Sequence, residues 1–138
     1  MAVYRLSSAA QEDIAELLAY TEANFGEIVM LRYERLLIAA LLDIAADPER
    51  RGSVARPELG ENVRSYHLRY SREHARTGER IIRRPRHLVL YRFARADLIG
   101  VGRILHDAME LERHLPSEFG DTCRSSGVKL FPISEFLP

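Results

Sequence analysis

Arginine is the residue type in this sequence whose side chains are best suited to form a binding or catalytic site, and it is concentrated in one segment. The eighteen residues 69–86 contain two acids, Glu73 and Glu79, and seven arginines: Arg69, Arg72, Arg76, Arg80, Arg83, Arg84 and Arg86. A guanidinium group forms paired hydrogen bonds with carboxylates. The segment is therefore either a solvated charged face or a docking surface for an acidic partner. Direct nucleic-acid binding is the weaker interpretation, because Tyr70 is the only aromatic residue interleaved with the run.

Other residues that could bind a cofactor or a metal lack the neighbouring motif residues that such a site requires. Gly100 and Gly102 resemble the start of a dinucleotide-binding loop, but the third glycine and the following helix are missing. The five histidines form no His-Glu-x-x-His motif, and Cys123 is the only cysteine. We predict neither a cofactor nor a metal site.

The composition of the chain is typical of one soluble globular domain. Its 138 residues are 46% hydrophobic and 29% charged, which disfavours a disordered or fibrous protein. Net charge is zero, yet residues 1–63 carry −5, residues 64–106 carry +8 and residues 107–138 carry −3. Of the 20 basic residues, 19 are arginine. The middle of the chain should therefore present a local positive surface.

The sequence predicts a cytoplasmic protein with no membrane partner. The N-terminus lacks the basic and apolar regions of a signal peptide. The longest apolar stretch, residues 36–46, contains Asp43 and is too short to cross a bilayer. A lone cysteine fits a reducing compartment.

The elements that must position these residues begin with a strand and a helical hairpin. Residues 3–6 alternate like a strand, and Ser8 with Gln11 forms a capping box for a first helix that ends at Gly26. Its apolar stripe is Ile14, Leu17, Leu18, Thr21 and Phe25. A second helix runs from Glu27 to the Asp47-Pro48 step, so the two helices should lie antiparallel.

The second half of the chain is mostly strand. Residues 49–62 are predicted to be a loop, and strands are predicted at residues 63–70, 87–93 and 98–105. Residues 71–86 should form a protruding strand-loop-strand extension, and a short helix should cover residues 108–115. The predicted fold class is α+β: an N-terminal strand, an antiparallel helical hairpin packed on a mostly antiparallel sheet, and a short C-terminal helix.

An ordered set of residues across positions 3–116 resembles a known toxin family. The set consists of Tyr4-Arg5-Leu6-Ser7, Ala9-Ala10, Asp13-Ile14, Tyr20-Thr21, Phe25-Gly26, Tyr33, Pro48, Arg64, His87 to Arg92, Arg103 to His106, Met109 and His114-Leu115. Together they resemble the RelE/ParE superfamily of type II toxin-antitoxin systems, and its ParE branch in particular. The resemblance implies a RelE/ParE-like fold, inhibition of DNA gyrase by protein-protein interaction, and neutralisation by a ParD-like antitoxin in a hetero-oligomer.

Two alternatives to gyrase inhibition stay open. RelE-like relatives cleave messenger RNA on the ribosome without a metal, and here Arg86, Tyr91, Arg92, Arg103 and His106 are the residues available for that chemistry. Each also has a structural interpretation: Tyr91 as a core residue, His106 as a hydrogen-bonding partner, and the two strand arginines as partners of a carboxylate on the hairpin or on an antitoxin. The other alternative is a non-toxic module that only binds its antitoxin and helps to repress its operon.

Two binding surfaces are predicted. The second helix has more apolar residues than one buried stripe needs, namely Ile28, Leu31, Ile38, Leu42 and Ala45. An antitoxin segment is expected to cover Ile28, Leu31, Ile38, Leu42, Arg64, Arg92 and Arg103. The target is expected to contact Arg80, Arg83, Arg84 and Arg86.

The resemblance divides the chain into a toxin domain, residues 1–116, and an extension, residues 117–138. The extension has no family counterpart and holds the only cysteine and the only lysine, Lys129. It is either a natural extension or an added or read-through segment.

Overall fold

The fold has a strand first, then a helical hairpin, then the rest of the sheet. The computed structural model describes residues 3–76, 82–95 and 97–107. Its elements are β1 (Val3–Leu6), α1 (Ser8–Phe25), α2 (Glu27–Ala46), β2 (Ser53–Ala55), β3 (Val63–His67), a 3₁₀-helix (Leu68–Ser71), β4 (His87–Arg95) and β5 (Leu98–His106). The predicted α+β class is confirmed. The predicted helix at residues 108–115 and the extension 117–138 lie outside the described residues.

The five described strands form one mixed sheet in the order β1-β5-β4-β3-β2. The pairings β2–β3, β3–β4 and β4–β5 are antiparallel, as predicted for most of the sheet. The first strand instead pairs in parallel with β5, so Val3 lies opposite Leu98. The N-terminal strand therefore extends the sheet at one edge, next to β5, the last strand among the described residues.

The helical hairpin begins one residue earlier than the predicted cap. Ser7, not Ser8, is the N-cap of α1, and its hydroxyl accepts the Ala10 N–H at 3.0 Å while donating to the Gly102 carbonyl of β5 at 2.8 Å. Gln11 reaches back to the Leu6 carbonyl at 3.2 Å. The turn between the helices is at Gly26, whose φ of 92° favours glycine. The cap thus ties the hairpin to the sheet.

Both faces of the sheet carry apolar side chains. The hairpin packs on one face, where Tyr33, Leu37 and Ile44 meet Val89 and Tyr91, and residues near β3 pack on the other, in a cluster of Leu59, Val63, Leu88, Leu90 and Leu105. This alternation confirms the prediction of a two-sided apolar strand at residues 87–93. Two predictions on the helices are wrong: Phe25 is exposed, and Ala45 is buried.

Predictions for the segments around β3 need correction. The predicted loop 49–62 contains β2, and the predicted strand 63–70 ends at His67, where the 3₁₀-helix begins. Ser71 explains the early end, because its hydroxyl lies 2.7 Å from the Tyr66 hydroxyl and donates to Asp43 of α2 at 2.6 Å. These bonds turn the chain towards the hairpin. The described part of segment 71–86 accordingly consists of turns and bends, not strands.

Neither described helix combines the length and the apolar composition needed to span a membrane.

Candidate functional site

A groove of about 680 Å³ opens between α1, the start of α2 and the ends of β4 and β5. Leu17 of α1, Val29 of α2, and Ile104 and Leu105 of β5 give it an apolar lining. Tyr20 and Phe25, both more than 60% exposed, stand on its α1 side. Its polar residues are Asp13, Glu16, Thr21, Tyr33, Arg84, Arg86, His87, Arg103 and His106. The groove therefore combines an apolar surface with a cluster of charged and titratable groups.

Tyr33 and His87 form the buried part of this cluster. The Tyr33 hydroxyl accepts the Arg86 backbone N–H at 3.1 Å and lies 2.8 Å from His87 Nδ1. Burial, and to a smaller extent the nearby His106, lower the pKa of His87 to about 4, so the ring is neutral at pH 7. Burial raises the pKa of Tyr33 to about 12. Both groups are therefore neutral at pH 7, and a hydrogen bond joins them.

Asp107 holds the charged part of the cluster together. It accepts hydrogen bonds from Arg86 Nε at 3.1 Å and from His67 Nε2 at 3.0 Å, and His106 Nδ1 lies 3.6 Å away. Partial burial would raise the pKa of Asp107, but the hydrogen bonds and charges of Arg86 and His67 outweigh it and lower the pKa to about 2. The His106 ring also packs edge-on against His87, with centroids 5.3 Å apart. Three strand ends are thereby joined around one carboxylate.

Two of the predicted nuclease residues lie in the core. Tyr91 is fully buried, and its hydroxyl bonds to the Ser53 hydroxyl and the Pro48 carbonyl. Arg92 is also fully buried, opposite Val63 of β3 in the register. Only Arg86, Arg103 and His106 of the predicted five line the groove. The structure therefore does not bring the whole set together.

The three arginines predicted to contact the antitoxin also differ in burial and in the groups that they bind. Arg103 forms a paired ion contact with Asp13 of α1, at 2.7 Å and 2.9 Å, so the hairpin supplies its carboxylate. The same Asp13 accepts the Ile104 N–H at 2.9 Å. Arg64 donates to the Ser53 hydroxyl at 2.7 Å. Arg92 is fully buried, so a protein docked on the surface could not reach it.

Comparison with known families adds the decisive observation. The model of the family described as the ParE toxin of the type II toxin-antitoxin system parDE matches residues 4–111. The chain belongs to the ParE toxin family. The resemblance inferred from the sequence is thereby confirmed, and the molecule is a type II toxin. Comparison with curated proteins gives no match.

The hairpin of this ParE-family toxin exposes an apolar face. Ile28 is 66% exposed, and Leu31, Ile38 and Leu42 are each between 45% and 48% exposed. All four lie on α2, on the side away from the sheet. Since apolar side chains of this size are normally buried in a monomer, the face is a candidate contact surface.

The basic segment of the toxin is anchored at its start by Asp43. This carboxylate accepts hydrogen bonds from Ser71 and His74, the latter at 2.8 Å, and forms an ion pair with Arg50 at 3.1 Å. Further along, Arg83 and Arg84 are exposed, and the Arg72 guanidinium donates to the Arg83 carbonyl at 2.7 Å. The predicted target residue Arg80 lies outside the described residues. The described arginines of this set, Arg83, Arg84 and Arg86, share one surface segment.

No local sequence pattern marks several of these residues as parts of one site. Tyr33 and His87 belong to the set that resembles the toxin family, and His87 also begins a predicted strand. His67 and Asp107 meet across forty positions, a distance that no local pattern reports. A sequence signal does exist for the cluster: histidines stand at the end of β3, the start of β4 and the end of β5. Antiparallel pairing brings these three positions to one sheet end.

Proposed function

We propose that this toxin inhibits bacterial DNA gyrase in the cytoplasm by binding it, without chemistry of its own, and that a ParD-like antitoxin neutralises it in a hetero-oligomer. This proposal rests on where the predicted nuclease residues lie and what they contact in the fold. Tyr91 and Arg92 are in the core, Arg103 is bound to Asp13, and Arg86 is bound to Asp107. Groups held in structural contacts are poorly placed to transfer protons or stabilise a phosphorane.

The proposed contact surfaces follow the exposed residues. The antitoxin covers Ile28, Leu31, Ile38 and Leu42 and reaches Arg64 and Arg103 at the sheet. Gyrase contacts the basic segment through Arg80, Arg83, Arg84 and Arg86, whose guanidinium groups suit acidic protein surfaces. Family membership supports the antitoxin; the choice of gyrase follows the family resemblance.

The test is induction of the toxin alone in bacteria, followed by assays of gyrase supercoiling, cleaved-DNA complexes and messenger RNA cleavage. We expect growth arrest with inhibited supercoiling, reversed by co-expression of the antitoxin encoded in the same operon. Intact gyrase activity together with codon-positioned cuts in messenger RNA would refute the proposal. No growth defect at all would favour the non-toxic, operon-repressing module.

The antitoxin surface has its own test, amide hydrogen exchange of the toxin with and without antitoxin. Residues 28–45 should exchange more slowly in the complex, because covered backbone is shielded and its helix opens less often. Unchanged exchange across α2 would contradict the proposed surface.

Metal-independent RNA cleavage is the second candidate. One observation favours it: Arg86, Arg103 and His106 line the same groove as the neutral His87. In this set His106 is the group that can transfer a proton, and the two arginines are cations that can stabilise the phosphorane. In that case His106→Ala should abolish messenger RNA cuts while leaving antitoxin binding within about twofold, and a toxin that cuts equally well without His106 would exclude this site.

A further inference from the structure

The outward face of α2 carries a regular seam. Its residues Ile28, Leu31, Arg35, Ile38 and Leu42 follow one another at spacings of three, four, three and four, and all five are exposed. This is the spacing of the a and d positions of a coiled coil. At about 100° per residue the five fall within a stripe roughly 80° wide, centred about 150° around the helix from the middle of the buried face. The buried face is Tyr33, Leu36, Leu37, Ala40, Leu41, Ile44 and Ala45.

Arg35 stands at the centre of the seam and lacks an acidic neighbour on its own helix face. The residues three and four positions away are Leu31, Arg32, Ile38 and Ala39. Contacts at these spacings are the ones that neutralise charge along a helix. A helix laid on the seam would therefore cover a cation for which α2 provides no carboxylate at these positions.

The central position of Arg35 disfavours a second copy of this chain as the occupant. In a parallel α2–α2 pair each seam residue meets its own equivalent, so Arg35 would face Arg35. In an antiparallel pair an a position lies opposite a d position, so Arg35 would face an apolar residue, Leu31 or Ile38, of the other copy. The parallel arrangement buries two like charges in contact and the antiparallel one buries an unpaired cation, and both are unfavourable. The seam is therefore suited to bind the apolar face of another helix, but not the seam of a second copy of this chain.

We propose that the α2 seam receives one amphipathic helix of a different protein, with apolar residues at the three-four spacing and a glutamate or aspartate opposite Arg35. Arg35 is then the residue that selects the partner. The inference rests on the proposed function to the extent that the antitoxin supplies this helix; it adds the mode of packing and the carboxylate. A single polar residue at a seam position commonly fixes partner and register in this way.

Synthetic helical peptides test the selection. Three peptides of three heptads each carry leucine at the seam positions and either glutamate, glutamine or lysine at the central one. Binding to the full-length toxin is measured by fluorescence anisotropy. We expect the glutamate peptide to bind about tenfold more tightly than the lysine peptide, and Arg35→Glu to reverse that order. Arg51→Glu makes the same charge change at an exposed turn and should leave the order unchanged. Circular dichroism confirms that each variant is folded.

Sedimentation velocity tests the exclusion of self-pairing. The wild-type toxin should be monomeric when free, and Arg35→Leu, which completes the apolar seam, should form dimers that Leu31→Glu abolishes. Equal binding of all three peptides, or none, would overturn the proposal. So would a wild-type dimer sensitive to Leu31→Glu, or an Arg35→Leu variant that stays monomeric. These outcomes do not depend on gyrase or toxicity, so they separate this inference from the proposed function.

Discussion

At the scale of single residues, the arginines show how position decides the role of one side-chain type. Arg92 is buried in the sheet, Arg103 is bound to a helix carboxylate, and Arg84 is exposed beside the groove. The sequence predicts that arginines will find carboxylates, because their charge is expensive to bury alone. It does not predict which carboxylate, since Asp13 and Arg103 are ninety positions apart.

Removing the Asp13 carboxylate should destabilise the toxin. Asp13 is the carboxylate that pairs with Arg103, and it also accepts the Ile104 N–H. The Asp13→Ala variant leaves a partly buried cation and a backbone donor unsatisfied, which should lower the free energy of unfolding by about 2 kcal/mol. Urea unfolding measures this. The matched control is Glu12→Ala, one position earlier and exposed, which should change stability by less than about 0.5 kcal/mol. Equal effects of the two variants would contradict the structural role of the pair.

His87 should make the stability of the toxin depend on pH between about 6.5 and 4. Its pKa is 6.5 when unfolded and about 4 in the fold, so the unfolded chain binds the proton first. The stabilising contribution is complete above pH 6.5 and is lost as the pH falls through 4, a loss of about 2 kcal/mol for this partly solvated ring. Asp107, whose pKa falls from 3.8 to about 2, acts only below this window.

Urea unfolding across that pH window, with His87→Gln beside the wild type, measures the slope. The glutamine variant should show a flatter dependence, whatever its absolute stability. A slope that is the same in both proteins would mean that another group titrates there. Titration of the His87 ring protons by nuclear magnetic resonance gives its pKa directly.

At the scale of elements, sequence periodicity predicts the helices and strands that local contacts determine. It misses the element boundaries that depend on contacts between residues distant in the sequence. The helices and the strands around residues 87–93 and 98–105 follow from apolar spacing and glycine positions. The end of β3 does not, because it depends on Ser71 meeting Asp43 of α2. β2 was missed for a related reason: it has only three residues and depends on pairing with β3.

Asp43 should control the order of the segment that follows β3. Replacing it by alanine removes the acceptor for Ser71 and His74 and the ion partner of Arg50. We expect trypsin to cut after Arg72 and Arg76 at least fivefold faster in Asp43→Ala, because local opening exposes the backbone to the protease. Glu49→Ala, an exposed acid just after α2, is the control. Unchanged cleavage would show that the 3₁₀-helix holds without this carboxylate.

At the scale of the whole molecule, the toxin domain should function without its extension. The family match ends at residue 111, and the predicted domain ends at residue 116. A protein ending at residue 116 should bind the antitoxin with an affinity within about threefold of the full chain, since none of the proposed contacts lies in residues 117–138. Isothermal titration calorimetry measures this. A loss of a hundredfold or more would place the extension in the fold or the interface.

The candidate site also belongs to this scale, which is why so little of it was predicted. Sequence reasoning named Arg86, Arg103 and His106, all of which line the groove, and it named the exposed apolar residues of α2. It could not place Tyr33 and His87 together, because their contact depends on how the hairpin packs across the sheet. The sequence indicates which residue types are available for the surface, whereas the meeting of side chains from three elements depends on the fold.

The parallel pairing of β1 with β5 has a consequence for synthesis on the ribosome. Residues 3–6 reach their hydrogen-bonding partners, residues 98–101, only after most of the chain has been translated. Contacts so distant in sequence form late and slowly. A nascent chain that stops before residue 98 leaves β1 without this neighbour and the Ser7 cap without Gly102. Translation interrupted before residue 98 therefore releases fragments that cannot form the β1–β5 pairing, and this edge of the sheet is completed only after residues 98–101 have been synthesised.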